Sequence, residues 1–181
     1  MNQIIDKLTI NDSVPDYQCT QNLDEHKGAI MSMMTLKDGK IVSGSYDNTI
    51  KIWDSNDNFK CIQTLIGHDG YVISLVVLKD GKIVSGSADK TIKIWDSNDN
   101  YKCIHTLEGH KLLITSLVVL KDGKFVSGSA DNRIKIWDSN DNYKCIQTLG
   151  GQNVPISSLM TFQDGKILSG DYNGKIRIWI K

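Results

Sequence analysis

Residues 71–107 read YVISLVVLKDGKIVSGSADKTIKIWDSNDNYKCIHTL, and their punctuation decides the fold. The run 71–78 is β-branched and aromatic, too short for a typical helix, and stops at Lys79-Asp80-Gly81-Lys82. Asp-Gly between two apolar runs is a hairpin signal that predicts positive φ at both central residues. KIVSGSA (82–88) follows as a second strand, and Asp89-Lys90-Thr91 marks another tight turn. IKIWDS (92–97) is a third strand, with Ile92, Ile94 and Trp95 breaking strict alternation as expected where both sheet faces are covered. A polar loop, Ser97 to Asn100, leads to a fourth strand, Tyr101 to Leu107.

The unit recurs. Trp53, Trp95, Trp137 and Trp179 step by 42 residues, as do Cys19, Cys61, Cys103 and Cys145. The Asp-Gly pairs at 38–39, 80–81, 122–123 and 164–165 keep the same interval. Between 62–103 and 104–145, 32 of 42 positions are identical. Such a period points to a stacked or ring-closed array. Four antiparallel strands per unit form a β-propeller blade, so the expected fold is all-β with four blades in residues 17–181. Residues 1–16 form an N-terminal extension in which Ile4, Ile5, Leu8 and Ile10 could pack on a blade.

Composition bounds the partners. The 181 residues hold 21 basic and 21 acidic side chains, so no net charge draws the chain to nucleic acid or to an anionic membrane. No apolar run is long enough to span a bilayer, and the start carries acids without a signal-like apolar core. A cytoplasmic protein is expected, with a nuclear one as the alternative. Four cysteines on separate units fit reduced thiols, because equivalent positions on neighbouring blades stand too far apart for a disulfide.

Gly67-His68, Ser85-Gly86-Ser87-Ala88-Asp89 and Trp95-Asp96, repeated at Gly109-His110, Ser127 to Asp131 and Trp137-Asp138, resemble the WD-repeat family of β-propellers. The resemblance covers nearly all of residues 17–181. It implies a ring of four-stranded blades, usually a docking surface for other proteins, and no catalysis. It also implies a hydrogen-bonded tetrad within each blade: His26, Ser43, Asp47 and Trp53; His68, Ser85, Asp89 and Trp95; His110, Ser127, Asp131 and Trp137. The turn Asp can take the His N–H, the other ring nitrogen the Ser hydroxyl, and the Ser oxygen the indole N–H. Ser85 and Ser87 compete for this role, and Ser85 is favoured. The last unit is degenerate, with Gln152, Ser169, Asn173 and Trp179, and with Asp171 where the others have a second Ser. Glu25 replaces the Gly before His26.

A His/Ser/Asp set invites a hydrolase reading, yet one that recurs in three blades beside an indole is better explained by packing than by chemistry. The Cys/His pairs at seven-residue spacing sit in separate blades with the His committed, so no metal or other cofactor is expected.

YQCTQNL (17–23) aligns with the fourth-strand segment YKCIHTL, while the fourth unit stops at its third strand. Residues 17–23 are therefore expected to close a ring as the outer strand of the last blade. Four blades would need about 90° between neighbours, whereas two chains give eight at about 45° each. A homodimer is expected over a four-bladed monomer.

Against a nearly constant framework, variable positions mark a docking face. In the resembled family the loop after the His lies on the top face. The candidates there are Ala29, Tyr71, Leu113 and Pro155; Met31, Ile73, Thr115 and Ser157; and Tyr46, Ala88, Ala130 and Tyr172. Tyr46, Tyr71, Leu113 and Tyr172 would make an apolar rim suited to a peptide or protein. Only Arg133 and Arg177 exist, too few for phosphopeptide reading. The expected function is a protein-interaction scaffold. The alternatives are a self-assembling propeller without a dedicated ligand, from recent duplication or design, and a propeller enzyme with acids lining its channel.

Overall fold

In the computed structural model, which describes residues 17–151 and 153–180, β-branched runs punctuated by Gly and Asn turns fold as fifteen strands. The first sheet holds β1 (Ile30–Thr35), β2 (Ile41–Ser45), β3 (Ile50–Asp54) and β4 (Lys60–Leu65). The second holds β5 (Val72–Val77), β6 (Ile83–Ser87), β7 (Ile92–Asp96) and β8 (Lys102–Leu107). The third holds β9 (Ile114–Val119), β10 (Phe125–Ser129), β11 (Ile134–Asp138) and β12 (Lys144–Leu149). The fourth has three strands, β13 (Ile156–Thr161), β14 (Ile167–Asp171) and β15 (Ile176–Trp179). Every sheet is antiparallel in chain order, and the described residues contain no helix.

The core lies between sheets. One cluster joins Val42, Ile50, Ile52 and Leu65 of the first sheet to Val72, Leu75, Ile83 and Trp95 of the second. Equivalent clusters fill the second and third junctions. Strands whose two faces both meet a neighbouring sheet carry apolar residues on both, which is why their alternation breaks down. At each junction a glycine receives a branched side chain. A Cβ on Gly44, Gly86 or Gly128 would stand 2.6, 2.5 or 2.7 Å from Val72, Ile114 or Ile156. A serine of the innermost strand ties the same junction: Leu75, Leu117 and Leu159 donate their backbone N–H to the hydroxyls of Ser32, Ser74 and Ser116 at 3.2, 3.0 and 3.1 Å.

The Asp-Gly turns differ from the expectation. Only the glycine is left-handed, with φ of 86° at Gly39 and 90° at Gly81, while the aspartate is not. Leu36 N–H donates to Lys40 O at 2.8 Å and Gly39 N–H to Leu36 O at 3.0 Å, so three residues span the hairpin. That length selects a type I turn followed by one left-handed residue. The aspartate carboxylate instead accepts the N–H two residues on, as Asp38 does from Lys40 at 3.2 Å. Residues 17–23 form no strand and do not pair with β15 within the chain, and residues 1–16 lie outside the described residues.

The second turn of each unit needs the same conformation, supplied by Asn48 (φ 68°), Asn132 (φ 68°) and Gly174 (φ 76°), but by Lys90 at φ 73° in the second unit. A lysine there bears a steric cost that Gly and Asn largely avoid. Lys90→Gly or Lys90→Asn is expected to stabilise the protein by roughly 0.5–1 kcal/mol, read as a rise in the thermal midpoint.

Candidate functional site

The polar residues singled out in the sequence meet inside the blades. In the second sheet His68 Nδ1 lies 2.6 Å from Asp89 Oδ2 and Nε2 lies 2.7 Å from Ser85 Oγ, to which Trp95 Nε1 donates at 2.8 Å. The first blade repeats this at 2.7, 2.8 and 2.8 Å with His26, Asp47, Ser43 and Trp53. The third does so at 2.9, 2.7 and 2.8 Å with His110, Asp131, Ser127 and Trp137. The second serine has separate work: Ser87 Oγ donates to Gly70 O at 2.9 Å and accepts from Asp89 N–H at 3.1 Å. Sequence spacing could not choose within that pair; the strand pleat does.

Each aspartate collects further donors. Asp89 also receives Asp69 N–H and the Thr91 hydroxyl, and Asp47 receives Lys27 N–H and the Thr49 hydroxyl. Burial alone would raise these carboxyls, but the bonds from His68 and Thr91 hold Asp89 far below its ordinary value. Asp47 is held down in the same way by Thr49, Lys27 and His26, and Asp131 by Lys111 N–H and His110. Burial pushes the His110 imidazole below its ordinary 6.5 despite the Asp131 bond. The serines that would be nucleophiles are buried, and each already accepts an indole N–H on its Oγ. The arrangement is a tie that satisfies polar groups between strands.

Gln152 lies outside the described residues. In the fourth sheet Trp179 Nε1 still donates to Ser169 Oγ at 2.9 Å, while Asp171 takes over the anionic role. It accepts Asn173 and Lys175 N–H at 3.0 Å each and pairs with Arg177, so an ion pair links β14 and β15. Asn173 holds the repeat position of the turn aspartates, in a turn closed by Gly174 N–H to Asp171 O at 3.1 Å as Asn48 N–H closes the first on Ser45 O at 3.2 Å, and it is exposed.

The candidates for a docking face gather at one end of the sheets. Tyr46, Ala88, Ala130 and Tyr172 donate their N–H to Ala29, Tyr71, Leu113 and Pro155 O, at 2.9, 2.9, 3.1 and 3.3 Å. Tyr46 and Tyr71 stack across the first junction, ring centres 4.3 Å apart and 22° between planes. Both are nearly half exposed, Tyr172 more so, and Leu112 and Leu113 are exposed in the equivalent loop of the third blade. Ala29 and Met31 are exposed too, whereas Ile73, Ala88, Thr115, Ala130, Pro155 and Ser157 are half-buried. Sequence reading passed over three sets of residues: the turn threonines Thr49 and Thr91, the junction serines, and Tyr101 and Tyr143, which pack into neighbouring blades. Their signal was the same period that exposed the tryptophans.

Residues 17–54, 59–96, 101–138 and 143–179 match the family model of the WD domain, G-beta repeat, and the chain belongs to that family. Among solved structures, the WD40 β-propeller domain of Doa1 is 28% identical, with a TM-score of 0.79 over 86% of this chain and 52% of that one. U3-55K and the WD40 repeats of RRP9 are each 21% identical at a TM-score of 0.78, covering 85% of this chain and 49% and 48% of theirs. The chain thus spans about half the length of these structures. No curated protein sequence matches it.

Ser85→Ala leaves the Trp95 N–H and one His68 nitrogen unpaired and is expected to cost about 1–3 kcal/mol for each orphaned group, measured by denaturant unfolding. His68→Ala and Asp89→Ala should each destabilise in the same range.

The pH response follows from the lowered values. The aspartates stabilise fully above their ordinary 3.8, and that contribution disappears as pH falls through the lower folded values. His110 takes its proton more readily unfolded, so stability also declines as pH drops below 6.5. The thermal midpoint should fall in two stages on acidification, the first reduced in His110→Gln.

Proposed function

We propose that the protein is a non-catalytic interaction scaffold that docks an extended peptide segment of another protein on the face built by the turns between the second and third strands of each blade. The observation that carries this is the exposed Tyr46–Tyr71 stack, contributed by two adjacent blades, with Leu112 and Leu113 exposed in the equivalent loop of the third. Two aromatic rings already fixed against each other lose little freedom on binding and offer apolar area with hydroxyls at the edge. WD-repeat propellers typically serve as protein-interaction scaffolds, and the tetrad serines are inaccessible to a substrate.

The working form we propose is a ring of two copies. Four blades superpose on about half of each related propeller, so two chains supply one circumference of about eight blades. A second reading, assembly without a dedicated ligand, draws support from the identity of 32 of 42 positions in the middle units, which leaves few residues to specialise.

Tyr46→Ala with Tyr71→Ala is expected to reduce capture of the partner from native lysate at least about 10-fold while leaving the thermal midpoint nearly unchanged. Quantitative mass spectrometry of proteins retained by parent and variant is the measurement. An unchanged set of retained proteins would count against this face.

A further inference from the structure

The loops between the third and fourth strands carry an aromatic residue out of its own sheet. Tyr101, from the loop between β7 and β8, packs against the first junction cluster, and Tyr143, from the loop between β11 and β12, is buried in the second. Both sit at left-handed φ, 57° and 58°, as Phe59 at the same repeat position does at 54°. The seat of Tyr143 includes His105, ring centres 4.8 Å apart, with Asp80, Lys82 and Asp96 close enough to act on its hydroxyl.

One repeat further on, the same seat is open. Leu120, Lys124, Ile136, Ile146 and Gln147 of the third blade and Trp179 of the fourth line a cavity of about 640 Å³. Its floor is apolar, and Lys124 and Gln147 stand at the repeat positions of Lys82 and His105.

Tyr17 is the residue that shares the repeat position of Phe59, Tyr101 and Tyr143, and it is wholly exposed. Its segment is already held against the first blade, where Gln21 Nε2 donates to Asn58 O at 3.1 Å. Gln21 occupies the repeat position of His105, so this segment lies against Phe59 as β8 lies against Tyr143.

The two ends of the chain carry the matching halves of an internal junction. Ile30 is 45% exposed and Met33 68%, whereas Val72, Ile114 and Ile156 at the first position are fully buried and Leu75 and Leu117 at the second nearly so. The partners those residues find inside the chain, a glycine and a serine hydroxyl, recur on the fourth sheet as Gly170 and Ser158. A cross-strand pair changes in concert as well. Lys51–Thr64, Lys93–Thr106 and Lys135–Thr148 bond at 2.8–2.9 Å, and the fourth set has Arg177 and Asn22.

We propose that Tyr17 of a second copy fills this cavity while its residues 18–23 add to β15 as the fourth strand. The inference rests on the two-copy ring above and names what locks it. Carrying over the pairing of β11 with β12 sets Ile176 opposite Leu23, Arg177 opposite Asn22, Ile178 opposite Gln21 and Trp179 opposite Cys19 of the second copy. The contact is head to tail, and a half-ring per chain closes it with two.

Native mass spectrometry at micromolar concentration should give twice the 20.2 kDa chain mass. Tyr17→Ala should weaken the dimer roughly 10- to 100-fold and Tyr17→Phe by no more than about threefold. Because Tyr17 is exposed in the single chain, circular dichroism of the Ala variant should match the parent. Mixing a Gln21→Cys chain with an Ile178→Cys chain should yield a covalent heterodimer whose disulfide maps to those positions. A dimer indifferent to Tyr17→Ala and without that cross-link overturns this seat but leaves the two-copy ring. A single-chain mass, or one above two chains, overturns both, and neither result bears on the tyrosine docking face.

Discussion

Packing between sheets is the constraint on which the molecule depends. A four-stranded sheet of this composition has apolar residues on both faces and cannot bury either one alone. Val72, Ile114 and Ile156 are buried only because the preceding sheet presents a glycine where any side chain would collide. Each blade is therefore stable as a member of a series, and the outward faces of the first and fourth blades keep exposed the residues that are interior elsewhere, among them Met33 and Ile176.

The tetrads work at right angles to that packing. They fasten the loop carrying the histidine to the second and third strands of its own blade, using partners that would be costly to bury alone. Because the aspartate is saturated by N–H and O–H donors, it stays charged in a half-buried place and the histidine is held in one orientation. The fourth blade reaches a similar end by another route: the acid moves to residue 171 and pairs with Arg177, which stands where the other blades have lysine. A carboxylate bridging β14 and β15 replaces one bridging a loop and a turn.

Rigid ties below and exposed rings above give the docking face its character. The Tyr46–Tyr71 stack is built on turns that are hydrogen-bonded to the loop entering each blade, so the rings belong to the framework even though they face solvent. Part of the variation among otherwise near-identical units falls on this rim, at Tyr71 against Leu113 and at Ala88 against Tyr172.

By itself the sequence determined the blade, because strand length, turn residues and a 42-residue period are local and each repeat reports them again. It also determined which histidines, aspartates and tryptophans belong together, since one constellation written three times leaves little freedom of pairing. Tertiary structure alone decided which serine of each pair completes the tetrad, because that depends on which strand face looks toward the indole. It alone revealed that Tyr101 and Tyr143 leave their own blades for the one before, and that the corresponding seat beside Trp179 is open. Those facts are set by distances between residues far apart along the chain, and a pattern read along one dimension does not contain them.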